Sequence, residues 1–338
     1  MNTTRTPTRH LSRRGALVLA GLLPLMAAGC GQSGDSGSEQ DGGTRSVDTE
    51  RGPVTVPAAP SRVISLSGAL TGYLYTLDVP VIASDARVLG AKPDAAGFPP
   101  TWSANATEQG TIALPAGDLS VEAVAAQKPD LIIGGGQGFT AAQAKQNFDA
   151  LSQIAPTVLV PSTTVAWQDQ LALIADITGR QDRVAGLMQA FTDRFNEVKA
   201  SIRPPSGPVA VIASYSDPKP YFITPTAVLP RLLRELGFDI DDDSLRKAGN
   251  PPLFGTGDSY TVSPEIVGNI ADTPNAIVVV IGGRNAAQLA KDPVYAQLPA
   301  FRDNKVWDLP ALSFRPDYAG IMQTVDVGGA GFPVTSPH

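Results

Sequence analysis

Apolar residues recur every three or four positions through the middle of this chain, from Arg180 to Arg203, with charged residues on the opposite face. This spacing predicts an amphipathic helix. Pro204-Pro205 ends it, because proline cannot continue the hydrogen-bond ladder. At about 1.5 Å per residue the helix reaches about 35 Å, the width of a small domain. Its apolar positions are Val184, Leu187, Met188, Phe191, Phe195, Val198 and Ile202.

On both sides of this helix, short β-like runs alternate with amphipathic helical runs. The expected strands are Arg62–Ser67, Val81–Ala83, Leu131–Ile133, Val158–Val160, Val209–Ala213, Ile277–Ile281 and Lys305–Leu309. Such alternation predicts parallel sheets covered by helices on both faces. We therefore predict an α/β protein with an N-terminal lobe (53–179), a connecting helix (180–203) and a C-terminal lobe (204–338). An ordinary helix inside one large domain is the alternative interpretation.

The N-terminal residues are typical of an export signal. Arg13-Arg14 precedes an apolar run, Ala16–Ala28, which is too short to span a bilayer. Ala27-Ala28-Gly29-Cys30 resembles the lipobox of bacterial lipoproteins, so we expect a signal peptide over 1–29 and lipidation of Cys30. The pair of arginines leaves Sec and twin-arginine export both open. Residues 30–52 are polar and glycine-rich, and we expect a flexible tether.

Composition excludes several kinds of function. The 338 residues and 43% hydrophobic content support two cores. The net charge is −6, and subtracting the four arginines of the first 29 residues leaves −10 on the remainder, which argues against nucleic-acid binding. The histidines are His10 and His338. A mature body without an internal histidine cannot carry Ser-His-Asp or Cys-His catalysis, or a histidine-rich metal site.

One glycine-rich segment partly matches a nucleotide-binding motif. Gly134-Gly135-Gly136-Gln137-Gly138-Phe139 follows an expected strand, but Phe139 replaces the third glycine of the dinucleotide-binding fingerprint. We favour a tight strand-to-helix turn that lets a ligand approach the backbone.

In open parallel sheets, ligands bind outside the carboxyl ends of the strands. The loops expected there bring cations and aromatic rings towards one cleft between the lobes. They contain Arg87 and Lys92, Gly134–Gln137, Ser214–Tyr221, Gly283-Arg284, and Phe314-Arg315.

Several segments resemble class III substrate-binding proteins of iron-siderophore and vitamin B12 ABC importers, most of all the members that bind ferric enterobactin. The likeness covers about residues 53–327. The segments are Pro53–Pro57 leading into Pro60–Ser65, Leu70–Gly72, Val79–Ser84, Val121–Ile133, Leu151–Thr157, and Phe314–Tyr318 with Met322, Gln323 and Asp326. Relatives have a tryptophan before a Thr-Pro in the second lobe, where this chain has Ile223, and that leaves the exact siderophore open.

The resemblance implies two Rossmann-like lobes joined by a rigid helix, and a non-enzymatic protein without a cofactor. Its ligand would be a ferric siderophore, which supplies all the ligands to iron, so no protein metal site is needed. A ferric tris-catecholate is a large aromatic trianion, and guanidinium groups both pair with anionic oxygens and stack on rings. Arg315 matches a siderophore-contacting arginine of the relatives. The other candidate ligand contacts are Lys92, Arg87, Arg284, Trp102, Tyr221 and Phe222.

The resemblance also implies partners. Glu122 and Glu265 each follow a serine at an expected helix start, where relatives carry an acid that docks on the permease dimer. We expect a monomer, held outside the cytoplasm on the cell membrane through Cys30. The alternatives are a cobalamin or haem carrier of the same fold, a lipid-anchored α/β enzyme, and a surface sensor that serves no transporter.

Overall fold

The computed structural model describes residues 43–255 and 257–332. The signal peptide and Cys30 therefore lie outside the described residues. The strands are β1 (Thr44–Thr49), β2 (Gly52–Pro57), β3 (Val63–Ser65), β4 (Val81–Ser84), β5 (Ile112–Ala113), β6 (Leu131–Gly135), β7 (Thr157–Val160), β8 (Val209–Tyr215), β9 (Tyr221–Ile223), β10 (Ser259–Thr261), β11 (Asn275–Ile281) and β12 (Val306–Pro310).

Helices separate most of these strands. They are α1 (Gly68–Thr76), α2 (Ser103–Gln109), α3 (Val121–Ala126), α4 (Phe139–Gln146), α5 (Phe148–Ser152), α6 (Trp167–Thr178), α7 (Gln181–Ser201), α8 (Val228–Glu235), α9 (Ser244–Lys247), α10 (Val267–Ile270), α11 (Ala286–Leu289), α12 (Pro293–Ala296), α13 (Pro299–Arg302) and α14 (Tyr318–Gly331). Short 3₁₀ helices cover Pro264–Ile266 and Ala311–Ser313. Among the described residues, no helix is both long and apolar enough to cross a membrane.

The first lobe is built on a five-stranded parallel sheet in the order β5-β4-β3-β6-β7. Its central strands are buried at every position and apolar except at Ser65, as expected when helices cover both faces of a parallel sheet. This confirms the α/β prediction for the lobe.

The second lobe has a mixed sheet in the order β10-β9-β8-β11-β12. Strands β8, β11 and β12 are parallel, whereas β9 runs antiparallel to both β8 and β10. The expectation of a purely parallel sheet is therefore wrong here. Residues 216–220 alone join β8 to β9, and a connection this short cannot form the crossover that a parallel pair requires.

Strands β1 and β2 form an antiparallel hairpin in which Thr44 pairs with Pro57 and Val47 with Val54. The tether prediction is thus wrong for residues 44–52. The physical reason is alternation: Val47 and Val56 are buried in the core of the first lobe, while their neighbours along each strand are more exposed.

The connecting helix is present as α7 and packs against α6 of the first lobe and α14 of the second. Phe191 meets the Trp167 ring edge-on at 4.8 Å, and the Tyr318 hydroxyl donates to the Leu187 carbonyl at 3.0 Å. One apolar face of α7 thereby touches helices from both lobes, which confirms the sequence-based prediction of a helix that joins them.

A second connection between the lobes runs where α1 packs on α14; we call it the α1–α14 seam. The Tyr73 hydroxyl donates to the Pro316 carbonyl at 3.1 Å, and Asp317 caps α14 by accepting from the Gly320 N–H at 2.7 Å. A β-carbon on Gly72 would collide with Oδ2 of Asp317. The seam therefore requires glycine at position 72.

We expect Gly72→Ala to lower the free energy of unfolding by about 1–3 kcal/mol, because the added methyl overpacks the seam. Gly186→Ala is the matched control. Gly186 is exposed in α7 and a β-carbon there meets nothing within 4 Å, so alanine should stabilise the helix by about 0.5–1 kcal/mol. Urea denaturation of both variants tests the pair, and equal effects of the two substitutions would contradict the close packing at Gly72.

Burial raises the pKa of Asp317 to about 6. The native state then holds this proton more tightly than the unfolded chain, whose carboxyl has its ordinary pKa near 3.8. The native-state stabilisation that comes from protonated Asp317 is fully present below pH about 4 and is lost as the pH rises through about 6. Asp317→Asn keeps the helix cap and cannot ionise. It should be more stable than wild type at pH 8 by up to about 3 kcal/mol, with the difference shrinking towards pH 4.5.

Denaturation midpoints at the two pH values measure this effect. A difference that does not change with pH would show that Asp317 does not titrate in this range.

Candidate functional site

Loops at the carboxyl ends of strands from both sheets enclose a cleft between the lobes. Two adjoining cavities share Ala69, Gln137, Phe314 and Arg315. We call their union the central cleft. The first lobe contributes the loops after β4 and β6, and the second contributes the segment after β12.

The glycine-rich loop after β6 forms one wall of the central cleft. Gly135 has φ +85°, and a β-carbon there would collide with the Val160 carbonyl of β7. The Gly136 N–H donates to that same carbonyl at 2.7 Å. These glycines therefore make a tight strand-to-helix turn, as the sequence predicted, and bring Gln137 to the cleft.

Arg315 is held in place within the second lobe. Its Nε donates to Oδ2 of Asp258 at 2.7 Å, and its guanidinium lies 4.9 Å from the centre of the Phe314 ring. One third of the side chain stays exposed. Its Nη groups have no hydrogen-bond partner among the described residues. This arrangement fixes the plane of the Arg315 guanidinium and leaves its Nη groups available to donate to an anion.

Arg87 faces the cleft from the first lobe and is held more tightly. Its Nε and Nη2 donate to the two carboxylate oxygens of Asp85 at 3.0 and 2.5 Å, and Nη1 donates to the Gly117 carbonyl at 2.9 Å. The hydrogen bonds to Asp85 raise the Arg87 pKa above its ordinary value. The guanidinium also lies 5.7 Å from the Phe139 ring centre.

The electrostatics of the cleft depend on these pairings. Asp258 and Asp85 each compensate one arginine, so neither pair adds net charge. Arg231 of α8 also lines the cleft, and no carboxylate pairs with it among the described residues. Sequence reasoning missed Asp85, Asp258 and Arg231. A cation near the N-terminus of α8, where the helix dipole disfavours it, was the available signal for Arg231.

Apolar side chains stand exposed around the cleft. Phe139 is 62% exposed, Leu89 52% and Val165 37%, and all three line it. Exposed apolar groups gathered at one place mark a binding surface. With the guanidinium groups, they suit a ligand that carries both charge and apolar rings.

Two residues that were predicted to contact the ligand are buried in the cores of the lobes instead. Trp102 is 2% exposed and packs against Tyr75 and Phe98 with ring centres 5.6 and 5.5 Å away. Phe222 is 1% exposed and stacks on Tyr260. Both predictions are wrong, because these rings are already buried against protein.

Three further candidates lie away from the central cleft. Lys92 is exposed and does not line it. Arg284 donates to Asp292 at 2.7 Å, and this hydrogen bond lowers the pKa of that carboxyl. The Tyr221 hydroxyl donates to Asp217 at 3.0 Å. Of the predicted contacts, the structure therefore brings together Arg87 and Arg315.

The two acids predicted to dock on a permease are exposed at helix starts. Glu122 lies in the first turn of α3, where the Ser120 hydroxyl donates to it at 3.2 Å. Glu265 lies in the 3₁₀ helix that precedes α10, and a hydrogen bond from Ser263 lowers its pKa. Within the described residues, no group of three or more His, Cys, Asp or Glu could hold a metal ion.

Comparisons with known proteins agree with this architecture. The chain is 31% identical to the ferric enterobactin-binding periplasmic protein FepB of Escherichia coli, over 93% of this chain and 96% of the relative. It is 27% identical to the probable siderophore-binding lipoprotein YfiY of Bacillus subtilis, over 56% of this chain and 55% of the relative.

Among solved structures, holo-ViuP superposes with a TM-score of 0.70 at 21% identity, covering 86% of this chain and 95% of the other. That likeness shows a shared fold. The sequence model of the periplasmic binding protein family matches residues 63–312. Members of this family capture substrates for transporters, which agrees with the expectation of a non-enzymatic protein. The chain belongs to the family of periplasmic binding proteins.

Proposed function

We propose that this protein captures a ferric siderophore outside the cytoplasm, preferably a catecholate, and delivers it to an ABC permease. The observation that carries the proposal is the central cleft, where Arg87 and Arg315 meet exposed apolar side chains. The siderophore supplies the ligands to iron, so the protein needs none. The ligand of the relative FepB supports the catecholate class.

The cleft suits a ferric tris-catecholate in two respects. Its three anionic rings are flat and apolar on their faces, so they can lie against Phe139 and the guanidinium planes. The Nη groups of Arg315, which no described residue engages in a hydrogen bond, can donate to phenolate oxygens. The paired carboxylates Asp85 and Asp258 reduce the positive charge, which favours a second candidate, a neutral ferric hydroxamate.

Titration calorimetry with four ligand classes separates these candidates. We expect the ferric tris-catecholate to bind most tightly, with a ferric hydroxamate weaker and with haem and cobalamin not measurably bound. The tris-catecholate affinity should fall with rising salt, because charged contacts to a trianion are screened. Tighter binding of haem or cobalamin would contradict the proposal, and a salt-independent hydroxamate preference would favour the second candidate.

Arg315→Ala should weaken tris-catecholate binding by about 2–5 kcal/mol, because it removes the cation and leaves Asp258 uncompensated beside the anion. Arg284→Ala is the matched control, since Arg284 pairs with Asp292 and does not line the cleft. Calorimetry on both variants should show a loss only for Arg315→Ala. Equal affinities of the two variants would remove Arg315 from the site.

We also propose that maturation cuts before Cys30 and leaves a lipid-anchored protein. The lipobox-like Ala27–Cys30 supports this, as does the description of YfiY as a lipoprotein. Two acyl chains on a diacylglycerol give stable anchoring. Cys30→Ser should move the protein from the membrane fraction to the medium or the soluble extracytoplasmic fraction, measured by immunoblotting. Continued membrane association of the variant would require another anchor.

Docking on the permease would use Glu122 and Glu265, one acid on each lobe. Charge reversal at both positions, Glu122→Arg with Glu265→Arg, should leave ligand affinity intact and reduce iron uptake, because charge guides orientation and encounter. The control is Glu108→Arg with Asp303→Arg, two exposed acids on the same two lobes. Calorimetry and radioactive iron uptake measure the two effects. Equal iron uptake by cells that carry the test variant and cells that carry the control would exclude docking through these two acids.

A further inference from the structure

A second cavity adjoins the central cleft behind the glycine-rich loop. It shares Gly136, Gln137 and Gly138 with the cleft. We call it the hairpin pocket, because the turn between β1 and β2 forms one of its walls. The residues that define it are Glu50, Arg51, Ala142, Lys145, Phe148 and Ser162.

The walls of the hairpin pocket follow from the local fold. The β1–β2 hairpin is held on the first lobe by Val47 and Val56, which are buried, and this places Glu50 and Arg51 at the pocket. One face of α4 forms another wall, where Ala142 is small enough to leave space. The segment expected to be a tether thus contributes to a cavity.

The cations of the hairpin pocket differ from Arg87 and Arg315, the two predicted cations of the central cleft. The Arg51 guanidinium lies 4.3 Å from the centre of the Phe148 ring, and Lys145 is exposed on α4. Neither pairs with a carboxylate among the described residues, whereas Arg87 and Arg315 both do. Glu50 subtracts one charge, so the pocket carries a net charge of about +1 at neutral pH. The hairpin pocket therefore adds to the cleft's Arg231 a second source of positive charge that carboxylates do not fully cancel.

An uncompensated guanidinium over an aromatic ring, with an ammonium close by, is suited to a flat anion. A ring can stack on the exposed face of the Arg51–Phe148 pair while its oxygen atoms accept from Lys145. An aliphatic anion would gain the charge interaction without the stacking. We propose that the hairpin pocket is a subsite for an anionic aromatic ring, and, on the basis of the proposed function, for a catecholate.

Such a ring has two sources. It is either one arm of a ferric siderophore whose iron centre occupies the central cleft, or a separate small catechol acid. Two probes distinguish them: 2,3-dihydroxybenzoate without iron, and a ferric tris-catecholate siderophore. Each is titrated by calorimetry into wild type and into the double variant Arg51→Gln with Lys145→Gln.

Two further variants complete the experiment. Ala142→Leu fills the pocket without changing its charge, in a helix that tolerates leucine. Lys199→Gln with Arg302→Gln removes the same charge from exposed positions that do not line the cleft or the pocket. We expect the pocket variants to weaken binding at least about tenfold, and the control to stay within about twofold of wild type.

The outcome identifies the source of the ring. Loss of tris-catecholate affinity in both pocket variants supports an arm of the siderophore. Loss of 2,3-dihydroxybenzoate binding with an unchanged tris-catecholate affinity supports a separate small acid. The subsite is overturned if neither probe distinguishes the pocket variants from the control. A failure of the proposed function would give a different result from a failure of the subsite, because wild type itself would then not bind the ferric chelate.

Discussion

The α1–α14 seam is the constraint on which the binding cleft depends. Each sheet supplies loops at the carboxyl ends of its strands, but these loops form one cleft only while the lobes keep their relative position. Gly72 and Asp317 meet without space for a β-carbon, and α7 packs against helices of both lobes. A packed seam and a continuous helix lack the loop hinge that large domain closures use. We therefore expect the cleft to be largely preformed, so that binding loses little free energy to domain rearrangement.

The number of arginines in the site overstates its positive charge, because some of them are paired with carboxylates. In the central cleft, carboxylates orient the two predicted arginines and cancel their charge. A guanidinium that is already held in one plane loses less entropy when it binds an anion. Pairing with a carboxylate therefore favours hydrogen bonds of a defined geometry between these arginines and a ligand. Net attraction for an anionic ligand then falls to Arg231 and to the hairpin pocket. In the proposed mode of binding, recognition and attraction therefore rest on different residues.

The sequence predicted those parts of the fold that have strong periodicity. The long amphipathic run became α7, and the buried apolar runs became the central strands of both sheets. It missed β9 and β10, which are three residues each and too short to show alternation. It also missed the β1–β2 hairpin, whose flanking glycines and polar residues resemble a linker. For the site, Arg87 and Arg315 were predicted from loop positions and resemblance, but aromatic residues in a sequence do not reveal burial, so Trp102 and Phe222 were misassigned.

Anomalous diffraction at the iron edge would show directly whether the central cleft holds a ferric chelate without movement of the lobes. Crystals grown with and without a ferric tris-catecholate would locate the metal and compare the lobes in one experiment. We predict an iron peak in the central cleft, with Arg315 in contact with the chelate and both lobes superposing on the ligand-free protein. An iron site outside the cleft, or a large rotation of one lobe about α7, would contradict it.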